Sequence, residues 1–237
     1  MGRSIAVILA GGSGSRLGAD VPKQFLEIDG RTILEYSVEV FDEHPGIDAI
    51  AIITREDYID KVRDIVARRG YRKVEKIIPG GKERYQSSLA AIDVYEDDDI
   101  LLFHDAVRPL VSRRIIDDCL AAMERYDAVD VAFNTTDTII QVDSDNCISS
   151  IPDRNFLRNG QTPQVFRRSL IAEAYKIALQ DSAFRTTDDC GVVLRYLPNE
   201  PIYVVPGEAR NMKVTFKEDI GQIQHLMQML KKQRVGQ

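Results

Sequence analysis

The chain has 237 residues, 44% apolar and 29% charged, which is typical of a globular protein with one α/β domain or two small ones. The formal net charge of −6 argues against general binding to nucleic acid or to an anionic membrane, because both require a basic surface. No run of about 18 apolar residues is present, so we expect no membrane span.

The cysteines and histidines are few and widely spaced. An odd number of cysteines without a C-x-x-C pair fits reduced thiols better than disulfides or a zinc site: Cys119, Cys147 and Cys190. The scattered histidines argue against most transition-metal sites: His44, His104 and His225. A metal, if used, is expected to be a hard ion such as Mg²⁺. Residues 1–4 lead directly into an apolar run, so we expect no signal peptide and predict a cytoplasmic protein.

The first predicted element is a buried strand over residues 5–9, followed by the glycine-rich sequence AGGSGSR at residues 10–16. Backbone N–H groups in such a loop can converge on an anion. Arg16 and Lys23 add two positive charges just beyond it. This layout indicates a polyphosphate site. Neither G-x-G-x-x-G nor the Walker pattern is present, and the alternative is a tight turn that binds nothing.

Strands and helices then alternate along the chain. Helices are predicted over 32–41, 57–69, 82–92 and 113–126, and strands over 49–54, 74–78, 100–103 and 129–133. The strand at 74–78 is followed by a second glycine turn, Gly80-Gly81. This alternation predicts a single α/β domain with a doubly wound, mostly parallel sheet.

The alternation is interrupted between residues 135 and 165. Two strands, at 138–142 and 147–151, flank the turn sequence DSDN at 143–146, which predicts a β-hairpin inserted as an arm. After it the pattern resumes, with helices over 169–179 and 187–196, a strand over 202–205 and a closing helix over 216–232.

Basic residues recur where predicted strands or glycine turns end. Besides Arg16 and Lys23 these are Arg84, Arg108 and Lys213. Each alone would be read as a surface charge, but ligands bind at the carboxyl ends of strands in such sheets, so the joint pattern favours an anion site. Asp105 could direct a hydrated Mg²⁺ or contact a ribose, and its alternative roles are a helix cap or an ion pair with Arg108. We interpret His104 as a packed polar residue.

Six sequence motifs occur in order along the chain: AGGSGSR at 10–16 with PKQF at 22–25, GGKER at 80–84 with Ser87, HDAVRP at 104–109, TDT at 136–138, DR at 153–154 with QTPQ at 161–164, and NMKVT at 211–215. Together they resemble those of the sugar-alcohol-phosphate cytidylyltransferases, which use 2-C-methylerythritol 4-phosphate or ribitol 5-phosphate. The resemblance covers residues 5 to 220. It implies a Rossmann-like nucleotidyltransferase sheet, CTP and Mg²⁺ as cosubstrate and cofactor, and a homodimer formed through the arm over 135–165.

The resemblance also implies a role for each matching residue. The catalytic cations would be Arg16, Lys23 and Lys213. The CTP-binding residues would be Ala10, Gly11, Gly12, Ser13, Gly14, Gly80, Gly81, Arg84, Ser87, Asp105 and Ala106. The acceptor would be bound by Arg108, Thr138, Arg154 and Thr162, with Arg154 supplied across the dimer, and Asp105 would also face the metal.

Two features bear on the acceptor. The sequence LAGG at 9–12 and the Ile-Pro pair before Asp153-Arg154 resemble the branch that makes CDP-ribitol, so ribitol 5-phosphate is favoured and 2-C-methylerythritol 4-phosphate is the alternative. The sequence TDDC at 187–190 departs from both branches. Two rival hypotheses are a nucleotide-binding protein without catalysis and a nucleotidyltransferase that uses UTP or GTP.

Overall fold

The computed structural model describes residues 2–12 and 21–235, with side chains through residue 232. Within these residues eight strands form the main sheet: β1 (Ser4–Ala10), β4 (Ala49–Thr54), β5 (Val74–Pro79), β6 (Ile100–Asp105), β7 (Ala128–Asn134), β10 (Arg158–Gly160), β11 (Gln164–Arg167) and β12 (Ile202–Pro206). Two small antiparallel pairs join β2 (Glu27–Ile28) to β3 (Arg31–Thr32) and β8 (Gln141–Val142) to β9 (Ile148–Ser150).

The sheet is mostly parallel, as predicted. Its order is β10-β7-β11-β6-β1-β4-β5, with β12 paired to β7. Neighbours among β6, β1, β4 and β5 run parallel, and so do β7 and β12. β11 lies antiparallel between β6 and β7, and β10 lies antiparallel to β7.

Helices cover both faces of this sheet. They are α1 (Ile33–Asp42), α2 (Ile59–Arg69), α3 (Arg84–Ile92), α4 (Arg113–Ala122), α5 (Arg168–Ala178), α6 (Asp189–Tyr196) and α7 (Glu218–Val235). Successive residues of β1 point to opposite faces: Ala6 and Ile8 pack with α1, α2 and α4, whereas Ile5 and Val7 pack with α3, α5 and α6. The predicted doubly wound α/β fold is confirmed. No helix in the described ranges is both long and apolar enough to cross a membrane.

The inserted hairpin is present but its bounds differ from those predicted. β8 and β9 form the hairpin, with Asn146 in the left-handed region at φ 61° in its turn. Residues 158–160 and 164–167, however, return to the main sheet as β10 and β11. The segment outside that sheet is therefore residues 135–157, which we call the arm. The sequence gives no strand pattern for β10, because Arg-Asn-Gly has no apolar alternation.

The arm differs from the rest of the chain in its exposure. Its residues from 136 to 151 are all exposed. They and the following turn leave six apolar side chains uncovered: Ile139, Ile140, Val142, Ile148, Ile151 and Phe156. Phe156 is 85% exposed, which is unusual for an aromatic residue in a folded chain.

Candidate active site

A cleft of about 810 Å³ opens where β1, β4, β5 and β6 end at one edge of the sheet. Such an edge is the usual ligand site of an open α/β sheet. Nine residues predicted from the sequence line this cleft: Gly11, Gly12, Lys23, Gly80, Gly81, Arg84, Ser87, Asp105 and Lys213. The fold thus brings together motifs that are up to two hundred residues apart in the chain.

The start of the glycine-rich loop is held by Gln24. Its Nε2 donates to the carbonyl oxygens of Ala10 at 2.6 Å and Gly12 at 3.2 Å. Ala10 itself is buried at the end of β1 and does not line the cleft. Residues 13–20 lie outside the described residues, so the predictions for Ser13, Gly14 and Arg16 stay predictions.

The second glycine turn packs tightly against α3. A Cβ added to Gly80 would lie 2.6 Å from Ser87 Oγ, and one added to Gly81 would lie 2.2 Å from Gln86 Cβ. A side chain at Gly81 would therefore displace α3 or the turn, whereas one at Gly80 would force the Ser87 hydroxyl to turn away. Gly11 faces the same helix, since its added Cβ would meet Ser87 Oγ at 3.4 Å. The two glycine turns and Ser87 form one smooth wall of the cleft.

Arg84 begins α3 and reaches across to Asp189, the first residue of α6. Its Nη1 donates to Asp189 Oδ2 at 2.5 Å, and Tyr175 Oη donates to the other carboxylate oxygen at 2.5 Å. Burial alone would lower the pKa of Arg84, but the negative charges of Asp189 and Asp105 outweigh it and raise that pKa. Arg84 is therefore a permanent cation on the cleft wall.

Asp105 ends β6 and is the focus of the positive charges. Its Oδ2 accepts from Lys213 Nζ at 3.0 Å and from Arg108 Nε at 3.4 Å. Burial alone would raise the pKa of this carboxyl, but Lys213, Arg84 and Arg108 outweigh it and hold the pKa well below its usual range. Asp105 is an ionised carboxylate at any physiological pH.

The two lysines of the cleft belong to one local arrangement. Lys23 Nζ donates to the backbone oxygen of Thr215, which lies two residues after Lys213 in the sequence. Both lysines line the cleft, and the Lys213 side chain is 48% exposed. The structure thus gathers two of the three predicted catalytic cations, and the third, Arg16, is outside the described residues.

A buried hydrogen-bond chain supports Asp105 from behind. The backbone N–H of Asp105 donates to Thr162 Oγ1 at 3.1 Å, which leaves the hydroxyl proton of Thr162 for His104 Nδ1 at 2.9 Å. His104 Nε2 therefore carries the ring proton and donates to the Arg108 oxygen at 3.1 Å. Burial lowers the pKa of His104 to about 4, so the ring is neutral. This agrees with the prediction that His104 is a packed polar residue.

Four residues predicted to touch the substrates are buried and do not line the cleft: Ala10, Ala106, Arg108 and Thr162. The Thr162 hydroxyl is occupied by Asp105 and His104. The Arg108 guanidinium donates to the Asn211 oxygen at 2.9 Å and the Gly160 oxygen at 3.4 Å. Both residues brace the site, because their polar groups bond within the protein, and their contacts with the acceptor stay predictions.

The remaining predicted acceptor residues lie on the arm. Thr138 and Arg154 are exposed, and neither lines the cleft. Within the described residues, neither side chain makes a hydrogen bond, and only the backbone of Arg154 is engaged, by Leu157 N–H. The acceptor half of the predicted site is thus not assembled by the described part of one chain.

Sequence reasoning missed several supporting residues. Gln24 and Asn211 fall inside recognised motifs, so their position was a usable signal. Asn211 is fully buried, and its Nδ2 donates to the Thr162 oxygen at 2.8 Å. Asp189 and Tyr175 carried no signal of this kind, because Asp189 pairs with Arg84, which is far away in sequence, and Tyr175 bonds to Asp189.

The residues present fit Mg²⁺ only with help from a ligand. No cluster of three or more His, Cys, Asp or Glu side chains suited to a metal occurs in the parts of the chain that the structure describes. Asp105 offers one ionised carboxylate at the cleft, and Mg²⁺ is commonly held by one or two carboxylates plus substrate phosphates. The donor set fits that mode of binding.

Comparison with known proteins shows the family. The profile of 2-C-methyl-D-erythritol 4-phosphate cytidylyltransferase, IspD, matches residues 4–229. The 2-C-methyl-D-erythritol 4-phosphate cytidylyltransferase of Thermobifida fusca is 45% identical over 232 residues, covering 95% of this chain and 93% of that protein. The bifunctional ribulose 5-phosphate reductase/CDP-ribitol pyrophosphorylase Bcs1 of Haemophilus influenzae is 42% identical over 222 residues, covering 92% of this chain and 47% of that protein.

The solved structures agree. The 4-diphosphocytidyl-2C-methyl-D-erythritol synthase of Anaerococcus prevotii superposes with a TM-score of 0.85 at 29% identity, covering 96% of this chain and 99% of that one. The resemblance inferred from the six motifs is confirmed, and so is the nucleotidyltransferase sheet. The chain belongs to the 2-C-methyl-D-erythritol 4-phosphate cytidylyltransferase family and is a nucleotidyltransferase that transfers a cytidylyl group to a polyol phosphate.

Proposed function

We propose that this protein transfers CMP from CTP to 2-C-methyl-D-erythritol 4-phosphate and releases pyrophosphate. The family profile that spans residues 4–229 bears that name, and the Thermobifida fusca relative matches over nearly its whole length. The relative named for CDP-ribitol is less similar, and this chain spans about half of it. These findings support the alternative acceptor better than ribitol 5-phosphate, which the opening LAGG motif had favoured.

The single observation that carries the chemistry is the group of cations around Asp105 in a cleft lined by glycine turns. A phosphate oxygen of the acceptor attacks the α-phosphorus of CTP, a new P–O bond forms, and the bond to the bridging oxygen of pyrophosphate breaks. A phosphate monoester is already nucleophilic near neutral pH, so the site needs no strong general base. Lys23 and Lys213 offset the charge of two anions held close together.

The nucleotide would lie along the wall formed by Gly80, Gly81 and Ser87. The two glycines let this turn pack closely against α3. The Gly80 N–H donates to the Thr54 oxygen at 2.6 Å, so the Gly81 N–H would be the backbone donor to the base. Arg84 and Asp105 line the same cleft beside this wall. The triphosphate would extend toward Gly11, Gly12 and Lys23, which begin the glycine-rich loop.

Mg²⁺ would be held by Asp105 and by the phosphate oxygens of CTP. A bound Mg²⁺ would lower the negative charge of the triphosphate. The Asp105 carboxylate is suited to this because Lys213 and Arg108 keep it ionised without covering it on the cleft side, where it is part of the lining.

The arm would dimerise the protein and carry Arg154 to the partner's cleft. Six exposed apolar side chains on and beside the hairpin need a cover, and a second copy of the same arm offers one of matching chemistry. In that arrangement Thr138 and Arg154 would bind the polyol phosphate, which explains why neither has a place in the cleft of its own chain.

A pyrophosphate-release assay tests this proposal. The protein is incubated with Mg²⁺ and each of CTP, UTP, GTP and ATP, against 2-C-methyl-D-erythritol 4-phosphate, ribitol 5-phosphate and other polyol phosphates. We expect release with CTP and the methylerythritol phosphate to exceed that of every other pair by at least about tenfold, a factor equal to about 1.4 kcal/mol. Preferred release with ribitol 5-phosphate or with UTP would contradict the assignment.

A further inference from the structure

Arg84 is held by a buried carboxylate that lies outside the cleft. Asp189 is completely buried and stands 105 positions from Arg84 in sequence, yet the two side chains form an ion pair at 2.5 Å. We propose that Asp189 is a positioning residue, which fixes the guanidinium of Arg84 in the orientation that binds CTP. This inference rests on the proposed function, since it takes the cleft to be the CTP site.

Asp189 is itself fixed from two sides. Its second carboxylate oxygen accepts from Tyr175 Oη at 2.5 Å, and its backbone N–H donates to Gln164 Oε1 at 3.0 Å. The amide nitrogen of Gln164 in turn donates to Asp130 at 3.1 Å and to Asp188 at 3.2 Å. Strands β7 and β11 are thereby tied to the first turn of α6. The carboxylate has little freedom to turn.

Arg84, by contrast, has few other constraints. Its side chain is 27% exposed, and within residues 2–12 and 21–235 its one side-chain hydrogen bond goes to Asp189. Arg84 lines the cleft, so the remaining donors of its guanidinium would be available to a ligand there. An arginine side chain has many rotamers. Holding it in one orientation before binding reduces the conformational entropy that is lost when the nucleotide binds.

Asp189 also keeps Arg84 away from Asp105. The charges of both carboxylates act on Arg84, and Asp105 is already bonded to Lys213 and Arg108. Without Asp189, Arg84 would still be attracted by the negative charge of Asp105. If Arg84 turned toward Asp105, it would compete with Lys213 for that carboxylate. It would also move away from the wall of the cleft along which the nucleotide would lie. A buried ion pair adds little to stability compared with apolar packing, so its effect here is on orientation.

The test is a set of steady-state measurements with CTP and the acceptor. Asp189→Asn keeps the shape of the side chain and removes its charge, and we expect the KM for CTP to rise about tenfold while the KM for the acceptor stays within about twofold. In a double-mutant cycle, Asp189→Asn combined with Arg84→Ala should give the KM for CTP of Arg84→Ala alone. Additive effects, or an unchanged KM for CTP in Asp189→Asn, would overturn the proposal.

Two further variants complete the design. Asp127→Asn removes an aspartate that pairs with Arg167 at 2.8 Å outside the cleft, and its KM values should equal those of the wild type. If Asp189→Asn does not fold, Tyr175→Phe takes its place, because it frees the carboxylate and keeps both charges. It should raise the KM for CTP about threefold, and a wild-type value would overturn the inference. If the wild-type protein itself does not turn over CTP, that result would instead contradict the proposed function.

Discussion

The cleft and the arm place their functional side chains in opposite ways. In the cleft, Asp105 is bonded to Lys213 and Arg108 and is supported from behind by Thr162. On the arm, Thr138 and Arg154 are exposed and, among the described residues, have no side-chain hydrogen bonds. The proposed nucleotide half of the site is thus preorganised within one chain, whereas the proposed acceptor half would depend on what the arm meets.

The largest expected effect is on the cleft side. Lys213→Ala should lower kcat by about a hundred- to a thousandfold, because the charge developing in the transition state loses a fixed partner. Lys23→Ala should act in the same direction. Steady-state pyrophosphate release measures the effect, and thermal denaturation checks the fold. Lys176→Ala, on an exposed lysine of α5 that pairs with Glu173, is the matched control and should leave kcat unchanged. Near-wild-type turnover in both cleft variants would refute their catalytic role.

The arm can be tested by mixing two impaired variants. Arg154→Ala should raise the KM for the acceptor about tenfold or more and leave the KM for CTP unchanged, because the arm does not line the cleft. After subunit exchange with Lys213→Ala, at saturating CTP and an acceptor concentration well below its wild-type KM, we expect about a quarter of wild-type activity, since half of the dimers are mixed and each has one intact site. No recovery of activity would mean that Arg154 acts within its own chain or that the arms do not pair.

A smaller effect is expected from the glycine wall. Gly81→Ala should cost about 1–3 kcal/mol of stability and raise the KM for CTP, because the new Cβ would meet Gln86 Cβ at 2.2 Å. Gly221→Ala, in α7, is the control: nothing lies within 4 Å of its added Cβ, and it should stabilise the helix by up to about 1 kcal/mol. If both variants are neutral in chemical denaturation, the wall is less tightly packed than the distances indicate.

The smallest effect concerns Asp130, a half-buried acid of the sheet. Burial raises its pKa to about 6, above the ordinary value of 3.8. The folded state therefore binds this proton more tightly, so Asp130 favours folding at low pH and that contribution is lost as pH rises through about 6. At pH 8, Asp130→Asn should increase the free energy of unfolding by about 1–2 kcal/mol and so raise the melting temperature. At pH 4 it should change the melting temperature little. Equal shifts at both pH values would contradict this.

Much of the fold could be predicted, because buried parallel strands are apolar on both faces. The sequence AIAIIT at 49–54 is a strand with the same bounds in the structure, and all its residues are buried. β10, with the sequence RNG, was missed since its residues are polar and exposed and it joins the sheet only through backbone pairing. The bounds of the arm were misplaced for the same reason.

The candidate site also contains residues that could be predicted from the sequence and residues that could not. Asp105 and Lys213 could be predicted because both lie beside strand ends or motif positions that a parallel sheet gathers at one edge. Asp189 could not, since the sequence TDD at 187–189 reads as the start of a helix. Asp188 does cap α6, accepting from Gly191 N–H at 2.9 Å, whereas the next aspartate turns inward to Arg84. Side-chain direction of this kind depends on packing between distant elements.

The sheet order also has a consequence for how the protein is made. β7 sits between strands that follow it in the chain, with β11 and β10 on one side and β12 on the other. Lys213 comes later still, after β12. During synthesis Asp105 and Arg108 can therefore meet before Lys213 has left the ribosome. A chain that stopped after β12 would contain every strand of the sheet and still lack the lysine that pairs with Asp105, so the proposed catalytic site would be among the last features that the growing chain completes.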